Sequence, residues 1–431
     1  MNKVAFHTLG CKVNQYETEA MEKMFEDKGY EIVGEDDLAH IYVINTCTVT
    51  NLSASKSRQF IRKVKKINKD SIVAVVGCYS QVSPDEVESI EGVDVIIGTS
   101  DRKRIVELCE KAKKDRQQIN IVRNIASLNE FEEVDVDDIR SMTRAYIKIQ
   151  DGCNQYCSYC IIPYARGPVR SRKIQDIIEE SKKLASSGFK EIILTGIHVA
   201  SYGKDLGEIG LIDVIKKISE VDGIERIRLS SIEPNLITKD FMEALLTSKK
   251  VCHHFHLSLQ SGSNSVLKRM NRKYSKEEYR EKVDLIRSYM PDAGITTDII
   301  VGFPGESDEE FIETLEFVKN IRFSRIHVFK YSPRKGTPAA KYKDQVHGTI
   351  KSQRSESLIK LAEQMMREFN YRFLGKKMEV LFEKIDGDYY EGYTSNYIRV
   401  KVDSDKDLVG QVVKVDIHAN EGDYLIAKVG R

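Results

Sequence analysis

Short apolar runs alternate with helix-like stretches along most of this chain of 431 residues. This alternation constrains the fold most, because strands separated by helices assemble into parallel sheets. Before about residue 125, four runs predict strands: VAFHTLG, IYVINT, IVAVVG and VDVIIG. Six more follow: AYIKIQ, EIILTG, RIRLSS, HFHLSLQ, TTDIIVGF and RIHVFKYS. The first group predicts an N-terminal α/β domain with a parallel sheet. The second predicts a partial or complete barrel of six βα units, in which chemistry sits at the carboxyl ends of the strands.

The last part of the chain has a different pattern. After a long helical stretch at residues 349–373, apolar and polar residues alternate with period two between glycine and aspartate turns. This alternation predicts a small antiparallel β-barrel. The acidic residues 129–138 predict a linker. We therefore expect an α/β protein of three domains, at residues 1–128, 139–370 and 371–431.

Composition excludes several classes of protein. Hydrophobic residues make up 41% of the chain and charged residues 31%, as is typical of a globular protein. No apolar run approaches the ~18 residues of a membrane span, and the N-terminus lacks the features of a signal peptide. We therefore expect a cytoplasmic protein without a membrane partner. The net charge of +1 gives no overall attraction to nucleic acid, so such a partner requires local basic patches.

Three cysteines stand close together with the spacing C-x3-C-x2-C. Cys153, Cys157 and Cys160 come directly after AYIKIQ, on a loop at the expected active end of the barrel. An iron-sulfur cubane normally takes four cysteine ligands, so three ligands leave one iron open to a chelating molecule. A zinc site, or a loop without metal, is the alternative, although zinc prefers four closed ligands. The spacing favours the iron-sulfur cluster.

Three further cysteines share one local setting. Cys11 follows VAFHTLG, Cys47 follows IYVINT and Cys78 follows IVAVVG. Because the carboxyl ends of parallel strands share one edge of a sheet, these three thiols are expected to converge there. The shared register favours a second three-thiolate cluster. The remaining two, Cys109 and Cys252, are predicted to be small buried apolar residues.

Two basic patches adjoin the cysteine triads. Residues 51–69, after Cys47, hold seven Lys or Arg and no acid. A second patch follows the central triad and comprises Arg166, Arg170, Arg172 and Lys173. Phosphate backbones favour local basicity, so both patches predict contact with an RNA loop, with a solvated helix face as the alternative.

The C-terminal domain is not basic, since residues 371–431 carry ten Lys or Arg and eleven Asp or Glu. Its tyrosines offer either stacking surfaces for unpaired bases or side chains for the barrel core: Tyr389, Tyr390, Tyr393 and Tyr397.

The string GCNQYCSYCIIPYARGPVRSR resembles the cluster loop of the radical SAM methylthiotransferases, and the resemblance covers nearly the whole chain. It implies that Cys153, Cys157 and Cys160 hold a 4Fe-4S cluster. In that family the open iron binds S-adenosylmethionine (SAM), which is cleaved to methionine and a 5'-deoxyadenosyl radical. An aromatic residue of the family's loop approaches the adenine, and the matching residue here is Tyr159.

The same resemblance suggests further contacts with SAM. Thr195 and Gly196 end one strand, where a superfamily motif meets the SAM amino group, and Gly302 ends another, where backbone passes near the adenine. Glycine suits such close approach of the backbone. Glu233 and Gln260 lie just past strand ends and are candidate polar contacts. Plain βα turns and structural or surface roles are the alternatives.

The string TLGCKVNQYETE resembles the N-terminal motif of the same family. It implies that Cys11, Cys47 and Cys78 hold an auxiliary 4Fe-4S cluster that takes part in sulfur delivery, with two SAM molecules used per product. The C-terminal domain resembles the TRAM domain, the RNA-binding barrel found in this family.

Three substrates occur within the family: isopentenylated adenosine in tRNA, N6-threonylcarbamoyladenosine in tRNA, and an aspartate of a ribosomal protein. The two motifs are most similar to the threonylcarbamoyladenosine branch, which implies methylthiolation of adenosine 37 in the tRNA anticodon loop. A reduced flavodoxin or ferredoxin is the expected electron donor, and the sequence does not indicate the sulfur donor. The alternative from a different class is a non-catalytic, zinc-containing RNA-binding protein.

Overall fold

Six parallel strands form the sheet of the N-terminal domain, in the order β2-β1-β3-β4-β5-β6. The computed structural model describes residues 2–49, 51–134, 143–207 and 209–430, with residues 51–54 as backbone only. The strands and helices of this domain are β1 Lys3–Thr8, α1 Lys12–Asp27, β2 Glu31–Val33, β3 Ile41–Thr46, α2 Asn51–Ile67, β4 Ile72–Gly77, α3 Cys78–Val82, α4 Pro84–Glu88, β5 Val95–Ile96, α5 Ile105–Asp115 and β6 Ile119–Asn120.

The central strands of this sheet are buried on both faces, as their continuous apolar sequence predicts. Neighbouring residues of β3 point to opposite faces, with Val43 in one apolar cluster and Ile44 in the other. The first cluster contains Cys109, and Cys252 is also buried, which confirms the prediction for both cysteines. Apolar clusters therefore cover both faces of this one parallel sheet.

The central domain is a curled sheet that forms a partial barrel. Its six parallel strands run in the order β7, β9, β10, β11, β12, β13, and isolated bridges join β10 to the segment around β11. A short strand, β8, adds to β7 in antiparallel fashion. The elements are β7 Arg144–Asp151, α6 Ile162–Arg166, β8 Arg170–Ser171, α7 Ile174–Ser186, β9 Glu191–Gly196, α8 Leu211–Ser219, β10 Arg226–Leu229, α9 Lys239–Leu246, β11 His254–His256, α10 Asn264–Arg269, α11 Lys276–Tyr289, β12 Gly294–Val301, α12 Asp308–Ile321 and β13 Arg325–Lys330.

Local sequence sets the start of two helices in this barrel. Ser275 precedes α11 and Ser307 precedes α12, and each hydroxyl accepts a hydrogen bond from a backbone N–H in the first turn of its helix. In return, the carboxylates of Glu278 and Glu310 accept a hydrogen bond from the backbone N–H of the serine, which completes a capping box. These caps define the first residue of each helix.

The C-terminal domain is a closed five-stranded barrel, as predicted, although one of its five strand pairs is parallel and not antiparallel. It follows a long helix that packs against β12 and β13. Its elements are α13 Gly348–Tyr371, β14 Lys377–Asp386, β15 Tyr389–Thr394, β16 Arg399–Val402, β17 Val412–Asn420 and β18 Leu425–Val429. Arg226 and Arg228 of the central barrel donate hydrogen bonds to backbone carbonyls of this domain, and Arg144 pairs with Glu383 at 2.7 Å. Buried arginines thus attach the small barrel to the amino ends of the central strands.

The junction between the first two domains is only partly described. The predicted linker at residues 129–138 has no helix or strand over its described part, up to residue 134. Glu132 and Glu133 there form ion pairs with Arg102 and Arg172, at 2.5 and 2.7 Å. The predicted start of the central domain at residue 139 lies outside the described residues. None of the described helices is both long and apolar enough to cross a membrane.

Candidate active site between two cysteine triads

A cavity of about 1220 Å³ lies where the three domains meet. Cys11 of the N-terminal domain lines it, as do Cys153, Cys157 and Cys160 of the central domain. Tyr397 reaches it from the C-terminal barrel. One continuous space therefore reaches the whole central triad and Cys11 of the N-terminal triad, the two predicted cluster sites.

The N-terminal cysteines lie at the carboxyl ends of three neighbouring strands. Cys11 precedes α1, Cys47 follows β3, and Cys78 is the first residue of α3. The sheet order places β1, β3 and β4 side by side. The chain reverses direction across the sheet between β1 and β3, which is where open parallel sheets bind ligands. The structure thus brings these three residues to one edge, while their role as cluster ligands stays a prediction.

Two buried asparagines hold the loops of this triad. The Asn14 amide donates to the carbonyl oxygens of Leu9 and Thr46, at 2.9 and 3.0 Å. The Asn45 amide donates to the Asn14 carbonyl oxygen at 2.9 Å. Because these bonds join the loop after β1 to the loop after β3, they fix the positions of the attached cysteines.

Arg166 connects the two triads. It lies at the end of α6, just after the central triad, and its Nε donates to Cys78 Sγ at 3.3 Å. Burial raises the pKa of the Cys78 thiol to about 12, and the nearby guanidinium opposes that rise. A thiol with this pKa keeps its proton at neutral pH unless a metal displaces it, because metal binding requires the thiolate. The arginine therefore offers a charge-assisted hydrogen bond to the sulfur of a metal-bound cysteine.

A buried carboxylate balances these arginines. Glu17 of α1 is fully buried and pairs with Arg166, with Lys148 at 2.7 Å and with Arg102 at 2.8 Å. Burial alone would raise the pKa of Glu17, but the three cations hold it at about 2, so this carboxylate is ionised at neutral pH. The network joins α1 to the strand β7 and to the loop after it.

The prediction that the second basic patch contacts RNA is wrong for its three arginines. Arg166, Arg170 and Arg172 are buried and face Glu17, Asp151, Glu180 and Glu133 inside the protein. Only Lys173 of this patch is exposed. Sequence spacing did not reveal this, because Glu17 and Glu133 lie in other parts of the chain and only the fold brings Asp151 and Glu180 against the arginines.

Replacing Arg166 with methionine is expected to lower the free energy of unfolding by about 3–5 kcal/mol, because it leaves buried carboxylates without their cation. Chemical denaturation of the anaerobically purified protein, followed by far-UV circular dichroism, measures this change. Arg104→Met is the control, because Arg104 forms an exposed ion pair with Glu107 at 3.0 Å and such pairs contribute below about 1 kcal/mol. Equal effects of the two substitutions would contradict the proposed importance of the buried network.

Backbone hydrogen bonds hold the loop that carries the central triad. The Cys153 N–H donates to the Gly167 carbonyl at 3.0 Å, and the Ser158 N–H donates to the Met270 carbonyl at 3.0 Å. Gly152 begins the loop with φ +74°, and a Cβ there would lie 1.8 Å from the Pro168 carbonyl oxygen. Only glycine fits this position, because the space is filled and the backbone is left-handed.

Arg272 contacts the central triad in the same way that Arg166 contacts the N-terminal triad. Its Nη1 donates to Cys157 Sγ at 3.2 Å, and its Nη2 pairs with Glu233 at 3.0 Å. Glu233 also faces His198 at 3.1 Å. Burial opposes ionisation of Glu233, but these partners lower its pKa. Glu233 was predicted from the sequence as a candidate polar contact, whereas no sequence feature indicated Arg272.

The predicted SAM contacts divide into two groups. Tyr159, Thr195, Gly196 and Glu233 line the cavity. Gln260 and Gly302 do not: the Gln260 N–H donates to the Asp298 carbonyl at 2.9 Å, and the Gly302 N–H donates to Glu306 Oε2 at 2.6 Å. A Cβ on Gly302 would meet Lys351 Cγ at 2.3 Å. Both residues therefore shape βα turns behind the wall of the cavity.

The spacing of the thiols bears on the zinc alternative. Zinc binds sulfur at about 2.3 Å in a tetrahedron, so its thiolates stand about 3.8 Å apart. Among the described residues, only His256, Asp298 and His327 bring three potential metal ligands within 4.8 Å of one another. Neither cysteine triad is gathered this tightly, which suits a larger group such as a cubane cluster better than one zinc ion.

The same cavity has a polar wall that the sequence analysis missed. It consists of alternate residues at the amino ends of the last three strands: His254 and His256 of β11, Thr296 and Asp298 of β12, and Arg325 and His327 of β13. The sequence did contain a signal for this wall. HFH, TTD and RIH each place polar residues two positions apart, and residues i and i+2 of a strand share a face.

Comparisons with known proteins agree with this architecture. Residues 147–318 match the model of the radical SAM superfamily, and residues 3–98 match an uncharacterized protein family, UPF0004. The threonylcarbamoyladenosine tRNA methylthiotransferase MtaB of Bacillus subtilis is 43% identical over 436 residues, covering 99% of this chain and 97% of that protein. The chain belongs to the radical SAM methylthiotransferase family. It is therefore a radical SAM enzyme, and membership implies SAM and 4Fe-4S clusters as cofactors.

Other relatives lie in a second branch of the methylthiotransferase family. The tRNA-2-methylthio-N(6)-dimethylallyladenosine synthase of Alkaliphilus oremlandii is 37% identical, covering 96% of this chain and 90% of that protein. Among solved structures, the radical SAM methyltransferase TsrM of Kitasatospora setae has a TM-score of 0.58 at 15% identity, covering 79% of this chain and 77% of that one. The structural likeness supports the fold of this methylthiotransferase.

Proposed function

We propose that this enzyme replaces the C2 hydrogen of N6-threonylcarbamoyladenosine 37 in tRNA with a methylthio group, using two 4Fe-4S clusters and two SAM molecules per product. The observation that carries this proposal is the cavity that is lined by all three cysteines of the central triad and by Cys11 of the N-terminal triad. A base held in that cavity would be accessible to both cluster sites, which brings the reacting groups together without a diffusion step. The identity with the Bacillus subtilis protein, whose name includes threonylcarbamoyladenosine, supports the choice of nucleoside.

Six cysteines are proposed to hold the two clusters. Cys153, Cys157 and Cys160 would hold the cluster that binds SAM, and Cys11, Cys47 and Cys78 would hold the auxiliary cluster. With SAM bound, the first site supplies carbon-radical chemistry, which suits an unactivated C2–H bond.

The protein's own side chains would tune and orient these sites. Arg272 and Arg166 each donate an N–H to one cysteine sulfur, at 3.2 and 3.3 Å, and such bonds stabilise thiolate charge. Glu233 holds Arg272 in place. Tyr159 packs edge-on against the buried Phe303, with ring centroids 6.5 Å apart, so its ring forms a fixed wall of the cavity.

The helix α2 is the proposed contact surface for the tRNA backbone. Lys63 pairs with Asp36, and Lys65 pairs with Asp94 at 3.0 Å, so both are engaged within the protein. Four other basic side chains of the first patch lie on the surface: Lys56, Arg62, Lys66 and Lys69, of which the last follows the helix end.

The proposed role of the C-terminal barrel is structural as well as RNA-binding. Tyr393 and Tyr397 stack on each other at 5.0 Å and contact Arg144, so they are not free to stack on bases. Tyr390 packs against the barrel core, and Tyr389 is partly exposed. We also infer a cytoplasmic location, where tRNA resides, and a small reduced flavodoxin or ferredoxin as electron donor.

Deleting the gene is expected to remove 2-methylthio-N6-threonylcarbamoyladenosine from cellular tRNA and to leave its unmethylthiolated precursor. Nucleoside mass spectrometry of digested tRNA measures both. Restoring the intact gene should return the modification, whereas restoring a Cys157→Ala gene should not. Persistence of the modified nucleoside in the deletion strain would rule out the proposed substrate, and loss of the dimethylallyl derivative instead would assign the enzyme to the other branch.

Anaerobic purification is expected to yield a brown protein with about eight irons per chain, because two 4Fe-4S clusters hold that number. Iron and zinc are measured together by inductively coupled plasma mass spectrometry. A colourless protein that contains zinc and no iron would support the non-catalytic RNA-binding alternative.

A further inference from the structure

The amino-end half of the cavity is lined by basic side chains. Its wall includes Lys12, Arg228 and Arg325. Glu191 neutralises Arg228 through two bonds, of 2.6 and 3.1 Å. By contrast, neither Lys12 nor Arg325 has a carboxylate partner among the residues that the structure describes. The carboxylates of Glu19, Glu22 and Asp298 also line the cavity, but in the described structure none of them forms an ion pair with Lys12 or Arg325.

The position of Lys12 makes this charge available to a ligand. Its alkyl chain leads into the cavity at the start of α1, and its Nζ lies 5.7 Å from the centre of the Tyr146 ring. The ring is a weak partner for a cation compared with a carboxylate. A bound anion would therefore gain a charge-assisted interaction at little cost to existing contacts.

Histidines complete this wall. Burial lowers the pKa of His327, and His256, Arg325 and Lys12 act in the same direction while Asp298 opposes them, so both cations lie within electrostatic range of this ring. His254 is buried and stacks on Tyr397 at 4.6 Å.

Two residues that line the cavity each have a buried polar atom without a partner: His254 at the start of β11, and Ser230 just past the carboxyl end of β10. His254 Nδ1 and Ser230 Oγ form no hydrogen bond within the described structure. Buried polar atoms are usually bonded, so a ligand or an ordered water that supplies donors and acceptors would suit these two residues.

We propose that this wall is a carboxylate-binding subsite, with Lys12 and Arg325 pairing the carboxylate of the threonyl arm and the histidines near its hydroxyl group. This proposal rests on the proposed function and deepens it. A threonylcarbamoyl group carries a carboxylate and a hydroxyl, whereas a dimethylallyl group is entirely apolar. A site with unpaired buried polar groups strongly rejects an analogue that cannot bond to them, so this wall would set the substrate preference.

A metal ion is the competing occupant of the same wall. His256, Asp298 and His327 have ligand atoms within 4.8 Å of one another, and His256 Nε2 lies 3.2 Å from Asp298 Oδ2. Two histidines and one carboxylate can bind a transition metal. However, a divalent cation would share the cavity with Lys12 and Arg325, and this repulsion favours an anion.

The experiment compares two synthetic anticodon stem-loops that differ by one charge. Both carry N6-threonylcarbamoyladenosine, one with its free carboxylate and one as the methyl ester. The anaerobically reconstituted full-length enzyme is tested for binding by fluorescence anisotropy without SAM, and for kcat and KM of methylthiolation with SAM. A third stem-loop, with dimethylallyladenosine, tests whether the enzyme accepts the substrate of the second branch of the family.

The wild-type enzyme is expected to bind the free acid about 10- to 100-fold more tightly than the ester, the range given by one or two charge-assisted bonds. The ester should have a higher KM than the free acid, while the two stem-loops should have nearly the same kcat. Lys12→Met and Arg325→Met should each remove most of this discrimination, and Arg325→Lys should retain part of it. Lys330→Met is the matched control, because Lys330 is exposed on the same strand outside the cavity wall.

Iron content is measured for every variant, so that loss of the auxiliary cluster beside Lys12 is not mistaken for loss of the subsite. Equal binding of acid and ester by the wild-type enzyme, with both stem-loops methylthiolated, would overturn the subsite and leave the proposed function intact. No methylthiolation of either would overturn both. A bound metal other than cluster iron that is lost in His327→Ala would assign the wall to a metal and overturn the subsite.

Discussion

Cys157→Ala is expected to reduce formation of 5'-deoxyadenosine to background. Cys157 is one of three proposed ligands of the SAM-binding cluster, and its sulfur accepts the hydrogen bond from Arg272. Changes to groups around a metal ligand already cost about 10- to 100-fold in metal affinity, so loss of the ligand itself should exceed about 100-fold. Liquid chromatography of reactions with dithionite and SAM measures the product.

The matched control for this experiment is Cys109→Ala. Cys109 is also buried, but it lies in the apolar core of the N-terminal domain, away from both triads. This variant should keep about eight irons and normal cleavage of SAM. If Cys157→Ala still cleaved SAM at the wild-type rate, the central triad would not be the site of radical generation.

Cys47→Ala is expected to separate the two halves of the reaction. Cys47 lies at the carboxyl end of β3, beside Cys11 and Cys78, and not on the barrel loop. This variant should therefore keep SAM cleavage while methylthiolated nucleoside falls by more than about 100-fold, by the same reasoning about ligand loss.

The two products are measured in one reaction, 5'-deoxyadenosine by chromatography and the modified nucleoside by mass spectrometry. Iron content should fall from about eight toward four per chain, because one cluster remains. Full production of the methylthio nucleoside by Cys47→Ala would contradict the role of the N-terminal triad in sulfur delivery. Loss of both products, with the protein still folded, would show that the two triads do not act separately.

Elements with a strong periodic pattern were predictable. The apolar runs of β3 and β4 and the period-two alternation of the C-terminal barrel depend on neighbours in sequence, and the structure confirms them. The arginine patch after the central triad was the failure. The spacing of its basic residues is the same whether their side chains face solvent or distant acids. Only the packing of α1 against β7 places Glu17 beside Arg166.

The sequence by itself determined the chemistry of this protein: two cysteine triads, each tied to strand ends by local spacing, and the family to which they belong. Local spacing carries this information because ligands on a loop, or just past parallel strands, are placed by the elements that hold them. Tertiary structure alone decided what surrounds the triads. Arg166 meets Cys78 across two domains and Arg272 meets Cys157 across the central domain, and no pattern along the chain records contacts between residues 88 or 115 positions apart.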